Sequence, residues 1–211
     1  MARPSRPAAS SDSRQRVFAA AAAEFASRGY ASANVDRIAR AARLNKAMIY
    51  YHFKSKAALY REILRDMFGA VRAAVVEVEA SADSPQDKIR RYVEAIAAAA
   101  EARPHFPPIW LREIAEGGEH VDAATLAYVR DVLGVLGRII EDGRRAGLFV
   151  ASHPLVVQAG IIAPLMFFLA TARLREKMQR TGAISQAALS RDFVIAHIQR
   201  LTLAQLEGKI E

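Results

Sequence analysis

No cysteine occurs in this 211-residue chain. Disulfide stapling and thiolate chemistry are therefore excluded, which fits a reducing compartment. Glycine and proline are scarce, at 11 and 8 residues, so few positions break regular structure. No run alternates apolar and polar residues as a half-buried strand does, and no internal repeat appears. Acidic residues are few in the first third: residues 1–61 hold twelve lysines and arginines against three acids, and the rest of the chain holds 18 against 19. All the excess positive charge thus lies at one end, which points to an anionic partner for that end; nucleic acid and acidic lipid both satisfy the charge. Long hydrophobic runs are nearly absent. One stretch, 155–172, is uncharged over 18 residues. It contains Gln158 and Pro164, it is followed by Arg173 and Arg175, and it has no second of its kind. It reads as a buried helix rather than a membrane span, so the expected location is cytoplasmic.

Enzyme fingerprints are also missing. No GxSxG, Walker A or dinucleotide motif occurs, and "EIAEGGEH" (113–120) is not HExxH. Its glycines are expected to break the helix that would align Glu113, Glu116, Glu119 and His120. No catalytic residue, metal or cofactor is expected.

What is present is helical periodicity throughout. Ala runs at 19–23 and 97–100 favour helix. Residues 1–12 read as a disordered basic arm without the apolar run of a secretory signal, although an Arg/Ser/Ala composition also suits a transit peptide. A first helix is expected over 13–28, with Val17, Phe18, Ala21, Ala22 and Phe25 on one face and Gly29 beyond its end. A second follows over 35–42, capped by Asn34, and a third begins at Asn45 and runs to His52. Three short helices with a tight turn before the last give a helix-turn-helix domain over 13–55. Residues 56–211 form a larger helical body. Its helices are expected at 56–80, 85–102, 109–115, 123–145, 154–172 with a kink at Pro164, and 185–204 with Ser185 as cap. Leu126, Val129, Leu133, Leu136 and Ile140 are expected to face inward. The fold class is all-α.

The third helix carries the chemistry. A helix entering the major groove presents its first residues to base edges. Those are Lys46, a donor to guanine O6 or N7, and Ala47, small enough for close approach or for a thymine methyl. Ile49 and Phe53 are the core residues of this helix. Tyr50, Tyr51 and His52 offer polar tips to phosphates while their rings anchor a small domain. Lys56, at the start of the next helix, is placed to hold a backbone phosphate together with that helix end.

Residues 17–64 resemble the N-terminal domain of the TetR family of bacterial transcriptional regulators. The matching pieces are Phe25, Gly29-Tyr30, Ile38-Ala39, Tyr50-Tyr51-His52-Phe53, Lys54-Ser55-Lys56 and Leu59. The resemblance implies a homodimeric, all-helical protein that usually represses its targets. It also implies double-stranded DNA with a palindromic operator as one partner, and a small-molecule effector bound by the C-terminal domain as another. By position, Lys46 and Ala47 resemble the base-reading pair, Tyr50, His52 and Lys56 the phosphate contacts, and Tyr51 an aromatic beside the sugar-phosphate. Two residues depart from the pattern. Arg43 stands where a turn glycine is usual, adding charge, and Met48 replaces a hydroxyl residue. Arg43, Asn45, Lys46, Ala47, Met48, Tyr50, Tyr51, His52 and Lys56 are the expected DNA-binding set.

Beyond residue 70 the resemblance is architectural only. Met67, Tyr92, Ile96, Phe106, Trp110, Tyr128, Met166 and Phe167 are the expected ligand contacts, equally readable as plain core. Arg103, His105 and Arg112 are candidate polar anchors. Residues 154–172 and 185–204 are the expected dimer contacts, with Phe167 and Ile161 in the interface. The competing reading is a DNA architectural protein that reads shape, lacks sequence specificity and has no effector.

Overall fold

A computed structural model describes residues 6–183 and 189–209. Among them every regular element is a helix: α1 Arg6–Ser32, α2 Val35–Ala42, α3 Lys46–Phe53, α4 Lys56–Glu79, α5 Pro85–Glu101, α6 Phe106–Ala115, α7 Ala123–Arg145, α8 Pro154–Ala170, α9 Ala172–Arg180 and α10 Arg191–Leu206. The chain divides into two compact units. The first comprises residues 1–66 and 108–125, the second residues 67–107 and 126–211. The first unit is thus discontinuous: it takes in a segment far beyond the expected helix-turn-helix boundary at residue 55.

The core of the first unit follows from helical spacing. Val17, Ala21 and Phe25 of α1, Ile38 of α2, Ile49 and Phe53 of α3, and Leu59 and Ile63 of α4 are all buried. Burying one such large side chain contributes roughly 1.5–3 kcal/mol. Asn34 caps α2 by accepting from the Asp36 N–H at 2.7 Å, and Asn45 caps α3 by accepting from the Ala47 N–H at 2.9 Å. Helix α1 is broken at Gly29, whose φ of 75° and ψ of 170° leave the helical region. Its start lies earlier than expected. Residues 6–12, assigned from sequence to the arm, continue the helix, and residues 1–5 lie outside the described part.

In the second unit Ser84 caps α5 and Pro85 opens it, as the sequence indicates. The buried stripe of α7 is Val132, Val135, Leu136, Ile139 and Ile140, whereas Leu126, expected inward, is 55% exposed. Leu136 and Ile140 of the expected face are thus buried and Val129 and Leu133 half-buried, while near the start of the helix Thr125 is buried in place of Leu126. Helix α8 continues through Pro164, and a 56° bend separates it from α9 at Thr171. No single described helix is long and apolar enough to cross a membrane; only the bent α8–α9 pair meets that length and composition together. Helix α10 begins at Arg191 behind Ser190, which accepts from the Phe193 N–H. The expected cap at Ser185 lies outside the described residues.

Candidate nucleic-acid interface

Helix α3 buries Ile49 and Phe53 and leaves its remaining faces open. Arg43, Asn45, Lys46 and Ala47 are exposed, Met48 and His52 half-buried, and Tyr50 and Tyr51 are 44% and 74% exposed. The tyrosine rings therefore do not anchor the domain as expected. At about 100° per residue, core contact at 49 and 53 turns positions 50 and 51 away from it. Arg43 does what the usual turn glycine would do. It adopts φ 53° and ψ 46°, and its N–H reaches the carbonyls of Ala39 and Arg40 at the end of α2.

Several of the polar tips are already engaged. The Lys46 ammonium lies 3.0 Å from the Asp36 carboxylate, and that hydrogen bond holds the lysine above its usual pKa range. Lys56 donates to the Ala31 carbonyl at 3.3 Å, with its ammonium 4.5 Å from the Tyr30 ring centroid. His52 Nε2 lies 2.8 Å from Ser13 Oγ, a buried hydroxyl on α1. Arg14 pairs with Glu62, and its guanidinium lies 5.0 Å from the Phe53 ring centroid. Asp36, Ser13 and Tyr30 thus set the positions of three candidate contacts, and sequence reasoning missed all three. Asp36 was legible only as a favourable first-turn acid. Nothing in the spacing of Ser13 and His52, 39 residues apart, signals their meeting.

Segment 108–125 supports this unit from behind α1. Arg112 donates to the carbonyls of Phe25, Ala26 and Ser27 at 3.1, 2.6 and 3.3 Å. These are orphan acceptors at the end of a helix, where a cation is also favoured by the helix dipole. Arg112 is therefore a cap for α1 rather than a free polar anchor. The buried Tyr60 hydroxyl donates to Glu113 at 2.7 Å; burial and that carboxylate both raise its pKa.

The family profile described as bacterial regulatory proteins, tetR family, matches residues 17–63. Over nearly the whole chain the fold is similar to the crystal structure of PfmR, a TetR family transcriptional regulator from Thermus thermophilus. The TM-score is 0.71 at 25% identity, covering 91% of this chain and 99% of that one.

Residues 17–63 thus match the DNA-binding segment of the TetR family, and the chain as a whole is similar in fold to a TetR-family regulator. It is similar to the transcriptional repressor NicS of Pseudomonas putida, with 27% identity over 157 residues, 74% of either chain. It is also similar to the repressor SCO4008 of Streptomyces coelicolor, with 29% identity over 161 residues, 74% of this chain and 73% of that one. The matched segment and the shared fold are those of DNA-binding transcriptional regulators.

The expected ligand contacts differ in burial and in the unit to which they belong. Met67, Tyr92, Ile96, Phe106 and Met166 are buried and Tyr128 half-buried, all in the second unit. Trp110 falls in the first unit, and Phe167 is 69% exposed. The Tyr92 hydroxyl lies 2.8 Å from Gln158 Oε1 and 3.2 Å from the Val132 carbonyl, and burial raises its pKa. The Phe68 and Phe106 rings meet edge to face at 5.4 Å.

Proposed function

We propose that this protein is a cytoplasmic homodimeric repressor of the TetR family that reads a palindromic operator and leaves it when a small, largely apolar molecule binds its second unit. The observation that carries the DNA part is the exposure of Lys46, Ala47, Tyr50 and Tyr51 on one short helix held by Ile49 and Phe53. Lys46 and Ala47 read base edges, while Tyr50, Tyr51, His52 and Lys56 hold phosphates. Arg43 adds charge at the turn, and Asn45 fixes the helix start. Two relatives that carry the name repressor support the sign of regulation.

Dimer contacts fall on α8 and α10. Leu155, Val156 and Phe167 of α8, with Phe193 and Leu201 of α10, are exposed in the single chain. A twofold interface uses the same patch from both subunits and covers this apolar area. Ile161 is fully buried within its own chain, so the interface reading keeps Phe167 and gives up Ile161.

The effector reading rests on buried Met67, Tyr92, Ile96, Phe106 and Met166, with the Tyr92–Gln158 pair as the polar handle. Lys56 and Val71 lie on one helix, α4, through which a ligand changes the spacing of two recognition helices. That spacing must match one DNA turn, about 34–36 Å.

Selection of preferred duplexes from a random pool tests the reading, followed by binding to the selected palindrome and a scrambled copy at one salt concentration. A preference of roughly 10³-fold or more supports a specific regulator. Equal affinities overturn it in favour of an architectural DNA-coating protein.

A further inference from the structure

The segment "EIAEGGEH" ends α6 and turns back on itself. Gly117 and Gly118 both have positive φ, 74° and 76°, a conformation that side-chain-bearing residues rarely adopt. The Gly118 N–H donates to the Glu113 carbonyl at 2.7 Å. The reversal carries His120 back onto Glu113: the His120 amide lies 3.2 Å from one carboxylate oxygen and its Nδ1 3.0 Å from the other. The glycines expected to keep these residues apart are what gather them. Donor atoms of Glu113, Glu116 and His120 all lie within 4.8 Å of one another.

We propose that Glu113, Glu116 and His120 bind one divalent transition-metal ion of the Zn²⁺ type. Three arguments carry it. The first is spacing. An ion held at about 2.0–2.2 Å keeps any two donors within about 4.4 Å, so the three side chains need only a small adjustment. The second is charge. Glu113 is fully buried, and its partners are the Tyr60 hydroxyl, the His120 amide and the His120 ring. Among the described residues no lysine or arginine pairs with Glu113 or Glu116. Neighbouring Arg112 is turned to the carbonyls of α1. Two carboxylates thus lie close together with no fixed cation paired to them, the situation a bound dication compensates. The third is donor type. One imidazole with two carboxylates favours Zn²⁺ and its first-row neighbours over Mg²⁺ or Ca²⁺, which prefer all-oxygen shells.

Around these donors stand groups that fix them. The Tyr60 hydroxyl holds Glu113, and the Tyr30 ring packs on His120 with centroids 4.0 Å apart. Such outer partners orient ligands. Glu116 is exposed and His120 half-buried, so an ion has a way in and a coordination position is left for water.

The test uses the full-length, untagged protein, stripped with a chelator and dialysed. Co²⁺ is titrated by its visible absorption and Zn²⁺ by calorimetry. We expect one ion per chain, Co²⁺ displaced by Zn²⁺ but not by Mg²⁺, and at least about tenfold weaker binding in His120→Ala and Glu116→Gln. Glu116 is exposed, so Glu116→Gln keeps the fold, as circular dichroism will verify. His197→Ala, at an exposed histidine on α10, should bind like wild type. Binding that survives unchanged in folded Glu116→Gln and His120→Ala overturns the proposal. So does the absence of stoichiometric binding by the wild type.

Discussion

Helices α3 and α8 each expose a large aromatic, Tyr51 at 74% and Phe167 at 69%, yet the surfaces around them are opposite in kind. Beside Tyr51 stand Lys46, Tyr50 and His52, with Lys56 just beyond. Every exposed ring there ends in a hydroxyl, and two of the cations, Lys46 and Lys56, are already engaged by Asp36 and the Ala31 carbonyl. On the same helix as Phe167, Leu155 and Val156 are also exposed, and α8 has no charged side chain at all. Exposure alone therefore does not define a role; the polarity of the neighbours does. A surface of donors suits a polyanion, and a surface of hydrocarbon suits a second copy of itself.

The same substitution at the two aromatics should separate these roles most widely. Phe167→Glu places a charge in the apolar contact, where burying it costs several kcal/mol. Sedimentation should then show a monomer or an unfolded chain. Tyr51→Glu should sediment like wild type while binding duplex at least tenfold more weakly, because it sets a carboxylate against phosphate. A Phe167→Glu protein that remains a folded dimer moves the interface elsewhere.

Within the α3 surface, Lys46→Ala and Lys56→Ala should differ in kind. Loss of a base contact at Lys46 should cost roughly 1–3 kcal/mol of discrimination. Lys56→Ala should weaken all duplexes about equally and reduce the salt slope by about one. Competition binding with a panel of single-base operator variants reads both, and the opposite pattern reverses the assignment.

The polar character of the first unit also gives it an acid response that the hydrocarbon face of α8 lacks. Burial works to raise the Asp122 pKa, but hydrogen bonds from Arg65 and Thr125 outweigh it and hold the carboxyl at about 2. The folded pKa lies below the unfolded value, so this stabilisation is complete above about pH 4 and lost as pH falls towards 2. Arg65 is largely solvent-exposed, and after screening about 1–2 kcal/mol is expected. Melting temperature against pH should fall less steeply between 4 and 2 in Asp122→Asn than in wild type.

The smallest expected effect is at the turn before α3. Arg43 holds a left-handed conformation that costs a non-glycine residue roughly 1–2 kcal/mol. Arg43→Gly should raise the unfolding midpoint modestly while weakening duplex binding through loss of one cation. If it lowers both, the side chain packs in the fold more than its exposure implies.

The legible parts of the molecule were those decided by residues a few positions apart. Asn34 and Asn45 as caps, Gly29 as a helix breaker, and Ile49 and Phe53 as the buried face of α3 all follow from local spacing. What escaped was decided by distant pairs. Tyr60 meets Glu113 across 53 positions and Arg112 meets the end of α1 across 85 to 87. Periodicity placed Leu136 and Ile140 correctly but misplaced Leu126, where the buried residue is its neighbour Thr125. In "EIAEGGEH" the glycines read correctly as a helix end, but the direction of the chain after them is a tertiary fact.

The hold of Arg112 on the carbonyls of Phe25, Ala26 and Ser27 bears on how such a head can be moved between proteins. Read along the chain, residues 1–66 look like a contiguous cassette. Cut there, however, the end of α1 loses its guanidinium, and Tyr60 loses the carboxylate that accepts its hydrogen bond. A fusion carrying only those residues has several carbonyls and a hydroxyl to satisfy with water, and a chimaera must bring residues 108–125 along or supply an equivalent. The modular unit for exchange is two segments of sequence, so crossovers that separate them break the head even when every helix of the reading motif is left intact.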